Sequence, residues 1–228
     1  MPARGKKYRQ AAEKVDANRQ YTIEEASKLL KEVSYANFDA SVELHVKLGV
    51  DSRNADQQVR GSVVLPHGTG KSKRVAVFAR DERAQQAREA GAEFVGGDDL
   101  VEKVRDGFLD FDACVATPDM MREVGKLGKV LGPRGLMPSP KAGTVTNDVA
   151  AAIREIKGGR VEYRLDRNSV VHMTVGKIRF TDQQIAENVT AVLDALLRAK
   201  PASAKGRYME RISLASTMSP GINIAFGV

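Results

Sequence analysis

The chain has 228 residues, 42% of them hydrophobic and 5% aromatic with no tryptophan, and a formal net charge of +7 at pH 7. That is enough apolar material for one large domain or two modest ones, and too much for a disordered chain. The basic surplus favours an anionic partner, nucleic acid above all, while the shortage of rings excludes a broad base-stacking platform.

Residues 1–9 carry Arg4, Lys6, Lys7 and Arg9 without an acid. No apolar core follows them, so a secretory signal is not expected. No run approaches the roughly 18 apolar residues of a membrane span, and cytoplasm is the expected compartment. A first helix is expected over 6–15. The second is better marked: Thr22 followed by Glu25 fits a capping box, and Ile23, Ala26, Leu29, Leu30 and Val33 form one apolar face. Asn37-Phe38-Asp39 is a loop signal. From 41 to 48, Val42, Leu44, Val46 and Leu48 alternate with Ser41, Glu43, His45 and Lys47, which is a half-buried strand. Residues 59–65 form another. With no helix between them, antiparallel pairing of these two strands is the simplest expectation.

After Pro66-His67-Gly68 the rhythm changes. Short apolar strands at 74–79, 94–95 and 112–117 alternate with helices at 81–90, at 98–105 with Asp98 as N-cap, from Asp119, and from Asn147 or Asp148 to 157. Such alternation implies a parallel sheet covered on both faces. Cys114 sits in one of these apolar strands. A buried thiol is expected there, and a lone cysteine closes no internal disulfide.

From 160 the earlier style returns. Residues 161–165 and 170–175 read as a hairpin across Asp166-Arg167-Asn168. Thr181 caps a long helix, 183–199, with Ile185, Val189, Val192, Leu193 and Leu196 on one face, and 208–215 is the last expected strand. The expected fold class is therefore α/β: a discontinuous α+β outer domain, 1–66 plus 160–228, into which a Rossmann-like three-layer α/β/α domain, 67–159, is inserted. Two hinge strands join them, at Pro66, His67 and Gly68 and at Gly158 and Gly159. The outer segments hold 21 basic and 15 acidic side chains and the insert 15 and 14. Attraction to phosphate is thus expected mainly from the outer domain.

The stretch 126–144, KLGKVLGPRGLMPSPKAGT, is the most distinctive in the chain. Glycines and prolines shape its backbone, and Lys126, Lys129, Arg134 and Lys141 face no acid between Glu123 and Asp148. A sculpted loop of one charge sign suits an anionic partner, a phosphate backbone above all. Two nucleotide readings fail. Gly70-Lys71-Ser72 has Leu65 where a phosphate-binding loop needs glycine, and a strand follows it instead of a helix. No G-x-G-x-x-G follows the first strand of the insert. The three histidines, His45, His67 and His172, lie on separate elements, and no catalytic or metal-ligand motif occurs, so neither metal nor cofactor is expected. A nucleotide-using enzyme anchored to RNA by its outer domain is the alternative reading, resting on Gly70-Lys71-Ser72 alone.

Phe38 stands between polar residues ahead of a strand. It tucks into the core, or it offers a ring to RNA sugar or base. Residues 216–221, Ser-Thr-Met-Ser-Pro-Gly, bring small hydroxyl groups able to reach ribose hydroxyls.

These residues carry a resemblance. Leu131 to Pro138, Pro140-Lys141 and Gly143-Thr144-Val145 resemble the signature of the bacterial ribosomal protein "L-one" family, large-subunit proteins of the mobile stalk beside the tRNA exit site. The likeness runs through Phe38-Asp39, Lys47-Leu48-Gly49, Leu65-Pro66-His67-Gly68, Val175-Gly176-Lys177 and Thr217-Met218. The resemblance implies two domains, no enzyme activity, and binding to a structured large-subunit rRNA site. It also implies repression of translation through a mimic of that site on the operon mRNA, and action on tRNA in the exit site. The family's contact residues fall on Phe38, Ser41, Thr217 and Met218. Ser219 stands where the family usually has glycine, and Ser139 where it usually has asparagine. The full set expected at RNA is Asn37, Phe38, Ser41, His172, Thr217, Met218 and Ser219, in a protein that is monomeric when free.

Overall fold

The computed structural model describes residues 5–225; Arg4 of the basic N-terminal stretch lies outside them. The first arm of the chain forms α1 (Lys6–Glu13), α2 (Ile23–Val33), β1 (Ser41–Leu48) and β2 (Arg60–Val64). The middle forms β3 (Val75–Phe78), α3 (Asp81–Glu89), β4 (Phe94–Gly96), α4 (Asp98–Arg105), β5 (Ala113–Ala116), α5 (Met121–Lys126), α6 (Gly128–Leu131) and α7 (Val149–Lys157). The last arm forms β6 (Arg160–Arg164), β7 (Val170–Lys177), α8 (Asp182–Arg198), β8 (Met209–Ser216) and β9 (Ile222–Ile224). Two compact units result: Met1–Gly70 with Val161–Val228, and Lys71–Arg160.

The first unit is built on a four-stranded antiparallel sheet of order β7-β1-β8-β9. Along β1, burial alternates at every residue: Val42, Leu44, Val46 and Leu48 are covered, and Ser41, Glu43, His45 and Lys47 face outward. The covered face packs on α2 and α8 through Leu30, Ile185, Val189, Leu193 and Leu196. Both helices start at complete capping boxes. Thr22 Oγ1 accepts from the Glu25 N–H while Glu25 accepts from the Thr22 N–H, and Thr181 and Gln184 repeat the arrangement. On the opposite face, alternate residues of β1, β7 and β8 are half-buried or exposed, and among the described residues no helix buries them.

Three expectations about this unit need correction. β1 does not pair with β2. It sits between β7 and β8, eight residues each like itself, whereas β2 has five residues, none of them buried, and pairs with β6. Matching three long strands with one apolar face buries more surface than a local hairpin would. The reading of 161–175 as a hairpin holds only at the turn. Leu165 bridges Val171 and the Asp166 N–H donates to Val170, but β6 then leaves for β2 and β7 for β1. Finally, β8 is not the last strand; β9 follows and completes the edge.

The second unit has a three-stranded parallel sheet of order β4-β3-β5. All four residues of β3 are buried. Ala76 and Phe78 join Leu100, Val104, Met120, Val124 and Leu131 on one side, while Val75 and Val77 join Ala87, Val149, Ile153 and Ile156 on the other. Period-2 alternation thus feeds two cores, as both faces of a parallel sheet require. This is the expected α/β class. One cap differs: Gly97, not Asp98, precedes α4, and its N–H donates to the Asp99 carboxylate at 2.8 Å. Asp148 caps α7 by accepting from the Ala151 N–H.

Candidate nucleic-acid interface

At one end of the open sheet, the start of β1 meets the ends of β7 and β8. Ser41 lies opposite Lys177, and Val42 opposite Ser216. Ser41 and Thr217 are stitched together from 176 positions apart: the Ser41 N–H donates to Thr217 Oγ1 at 3.2 Å, and the Thr217 N–H donates to the Ser41 carbonyl at 3.0 Å. Lys177 Nζ donates to the Asp39 carbonyl at 2.9 Å and to Ser41 Oγ at 3.1 Å, which ties the Phe38 loop to the same corner. The Tyr35 hydroxyl donates to the Met218 carbonyl.

This corner presents apolar surface to water. Phe38 is 58% exposed and Met218 66%, and among the described residues Val64 is the only other large exposed hydrophobic. The alternative that Phe38 tucks into the core is therefore excluded. Met218 has φ of 74°, a left-handed conformation that β-unbranched residues enter only at a cost of order 1 kcal/mol or more. Tyr35 on its carbonyl and Ser41 on its neighbour hold it there. Ser219 does not share that conformation. Its Oγ accepts from the Ser216 N–H at 2.9 Å and donates to the Pro220 carbonyl at 3.0 Å, so a side chain is accommodated where the family usually has none. Asn37 is exposed beside Phe38.

Farther along the open face, His45 and His172 lie directly opposite on β1 and β7. The sequence spreads the histidines over separate elements; the sheet brings these two together, Nδ1 to Nδ1 at 2.8 Å. Glu43 stands 3.9 Å from the other nitrogen of His45, and Asp166 3.5 Å from that of His172. Burial, and then the neighbouring His172, hold the His45 imidazole below its ordinary value of 6.5. The Val170 N–H on its carboxylate is the largest influence holding Asp166 low. His67 lies elsewhere, paired with Glu187 on α8.

Asn188 went unremarked in sequence and is structurally central. It is fully buried on α8, accepts from the His67 N–H, and donates to the carbonyls of Gly68 and Val175. A polar residue breaking the apolar stripe of a long helix was the available signal. Lys177 and Tyr35 were likewise missed as site residues, since nothing local in sequence links them to Ser41 or Met218.

In the second unit, the loop 126–144 is anchored by its apolar residues and leaves Lys126, Lys129 and Arg134 exposed. Leu127 and Leu131 are buried, and Leu136 and Met137 pack on the same core. Gly135 and Gly143 both have φ of 69°, and a Cβ on Gly143 would sit 2.2 Å from the Arg160 guanidinium. The Ser139 N–H donates to Thr144 Oγ1 at 2.8 Å and closes the base of the loop. Lys126 pairs with Glu123, whereas Lys129 and Arg134 are exposed and have no acid partner among the described residues. Lys141 lies in the short helical turn Pro140–Ala142. Nothing here resembles a phosphate loop at Gly70-Lys71-Ser72, which leads directly to β3. Cys114 is buried, and burial pushes its thiol far up, away from nucleophilic reactivity. Among the described residues no cluster of three or more potential metal ligands occurs, and no helix is long and apolar enough to cross a membrane.

An antiparallel sheet with one wet face, an apolar corner of fixed geometry and a separate basic loop define a nucleic-acid-binding α/β protein. The chain belongs to the Ribosomal protein L1p/L10e family, whose profile matches residues 30–220. It is 58% identical over 224 residues to the large ribosomal subunit protein uL1 of Lactobacillus delbrueckii subsp. bulgaricus, covering 98% of this chain and 97% of that one. It is 59% identical over 221 residues to uL1 of Thermobifida fusca, covering 97% and 94%. With uL1 of Lactobacillus acidophilus it shares 56% over 224 residues, covering 98% and 97%.

Proposed function

We propose that this protein is a structural component of the large ribosomal subunit, without enzymatic activity, that binds large-subunit rRNA at the stalk through the open face and apolar corner of its first unit. The observation that carries this reading is the corner itself. Phe38 and Met218, two large apolar side chains in water, are held by the Ser41–Thr217 and Tyr35–Met218 bonds on a preformed edge. Preformed surfaces lose little on ordering, and exposed rings grip splayed or irregular RNA. Phosphate contacts position such a complex while Phe38, Thr217 and Met218 discriminate.

The finer assignments are part of the same proposal. Asn37, Ser41, His172 and Ser219 border the rRNA, and an operon mRNA carrying a mimic of the site competes for the same surface, giving translational repression. Lys126, Lys129, Arg134 and Lys141 face tRNA in the exit site or adjoining rRNA. Pro66, His67 and Gly68, with Gly158 and Gly159, act as hinges; Gly68 and Gly159 have φ of 62° and 103°, which supports conserving glycine's freedom there. The protein acts as a monomer. The direct test measures affinity for a stalk-region rRNA transcript and for a random duplex of equal length in moderate salt. The transcript is expected to bind at least about 1,000-fold more tightly, the lower end of specific recognition. Equal affinities would remove the proposal.

A further inference from the structure

We infer that the cleft at the opposite end of the sheet, lined by Lys47, Arg53, Arg167, Lys205 and Arg207, is a second anchor that takes the phosphodiester backbone of the same rRNA. The inference rests on the function proposed above and adds a site to it.

Three chain segments form the cleft: the exit of β1, the β6–β7 turn, and the connection from α8 to β8. They are tied together rather than merely adjacent. The Leu48 N–H donates to the Ser169 carbonyl at 2.8 Å and the Gly49 N–H to the Tyr208 carbonyl at 2.7 Å. Ser52 Oγ donates to the Arg167 carbonyl at 2.8 Å, and Ser169 Oγ to the Val50 carbonyl at 2.7 Å. A Cβ on Gly49 would lie 2.3 Å from the Arg207 carbonyl oxygen, so only glycine lets the first and third segments close. The cations therefore stand on a fixed frame.

Their charge is unspent. Arg53, Arg167, Lys205 and Arg207 are exposed, and among the described residues none enters an ion pair. Lys47 Nζ donates to the Asn168 carbonyl at 3.1 Å, which fixes it at the cleft. Two acids line the cleft, and among the described residues neither forms an ion pair with these cations. The Asp51 carboxylate accepts from the Arg53 backbone N–H at 3.0 Å, closing its own turn, and Glu210 forms no ion pair. Five cations against two acids, assembled from distant parts of the sequence, make a local field that selects anions. The cleft has a volume of about 590 Å³, many times that of a single oxyanion. No aromatic ring is among its lining residues, so it lacks the ring platform on which bases stack most strongly. A stretch of sugar–phosphate backbone meets both conditions.

The span is consistent with one RNA touching both ends. Seven residue steps of β1 separate Ser41 from Leu48, roughly 24 Å at strand rise. The division of labour is also clear. At the Phe38 corner Lys177 is engaged with Ser41 and Asp39, and Arg179 pairs with Asp39, so few free cations remain there.

The test uses the full chain and a stalk-region rRNA transcript, with affinity measured from 50 to 300 mM KCl. The triple variant R53Q/R167Q/R207Q is expected to bind roughly 10- to 100-fold more weakly at 100 mM salt, and its log K versus log salt slope to be shallower by about 2 to 3, at 0.7 to 0.9 per lost phosphate contact. A matched variant, K14Q/K28Q/R198Q, removes the same charge from exposed unpaired sites of the same unit and is expected to keep the wild-type slope. R53K/R167K/R207K retains charge and is expected to restore it. A wild-type slope in the cleft variant, or an equal loss in the matched variant, overturns the inference while leaving the proposed function standing. Absence of wild-type binding to the transcript overturns both. Unchanged thermal midpoints certify that the variants fold.

Discussion

The two units differ in how many of their charges are paired. In the second, Arg74, Arg80, Arg83, Lys126, Lys157 and Arg160 each pair with a carboxylate, and 14 acids nearly balance the basic residues of the insert. In the first, ion pairs hold Arg19, Lys31, Arg60 and Arg179, while Lys47, Arg53, Arg167, Lys205, Arg207 and Arg211 have none among the described residues. The sheets differ in the same sense. The parallel sheet is buried on both faces and can reach a partner only through loops, which is where its signature lies. The antiparallel sheet keeps one face in water and offers a rigid polar surface directly. Recognition of a large folded RNA favours the second solution, because a strand register positions side chains more firmly than a loop does.

That contrast can be broken or sharpened by experiment. The largest effect is expected from Leu193→Ala in the first core, a loss of about 2–5 kcal/mol by denaturant titration. It should lower the urea midpoint of the first unit and leave unchanged the signal of a probe placed on α7. Phe38→Ala is expected to weaken binding by about 1–3 kcal/mol, the contribution of a stacked base, with no change in salt slope. Isothermal titration at three salt concentrations checks both parts, and a shallower slope would show that Phe38 works through its charged neighbours instead. Thr181→Ala should cost about 1 kcal/mol of stability through the lost capping box, read as a lower urea midpoint.

A smaller effect is expected from pH. His45 takes up a proton less readily when folded than its ordinary 6.5, so the unfolded state binds more protons below that value. Stability of the first unit is therefore fully present above pH 6.5 and falls as pH drops from there through the lower folded value. Urea midpoints at pH 7.5 and 5.5 check this, with His45→Gln flattening the dependence. The second unit contains no histidine, so its transition should stay level across the same window. Smallest of all, Arg134→Ala should change rRNA affinity by less than about threefold, since one exposed cation contributes little. A larger loss would move the centre of recognition toward the basic loop.

Much of this was legible in advance, and the misses have a common cause. Helices announced themselves through local chemistry: Thr22 with Glu25, Thr181 ahead of α8, Asn147 or Asp148 ahead of α7. The apolar alternation of 41–48 gave β1 residue for residue. Strand partners were not legible. β1 against β7 and β8 is a choice among non-local pairings, and nothing in residues 59–65 says that their partner lies a hundred positions away. The site divides along the same line. Phe38 and the pair Thr217 and Met218 were nominated from residue type and family signature, but Lys177, Tyr35 and Asn188 acquire their roles only through contacts that sequence distance hides.

Periodicity, capping and composition are properties of neighbouring residues, and they determined here the elements, the α/β class and the cationic character of the chain. The corner of Ser41, Thr217 and Met218, the facing histidines, and the cleft of unpaired arginines were decided by tertiary structure alone. Each joins side chains more than a hundred positions apart, and the energy that joins them comes from burying the other face of the same sheet.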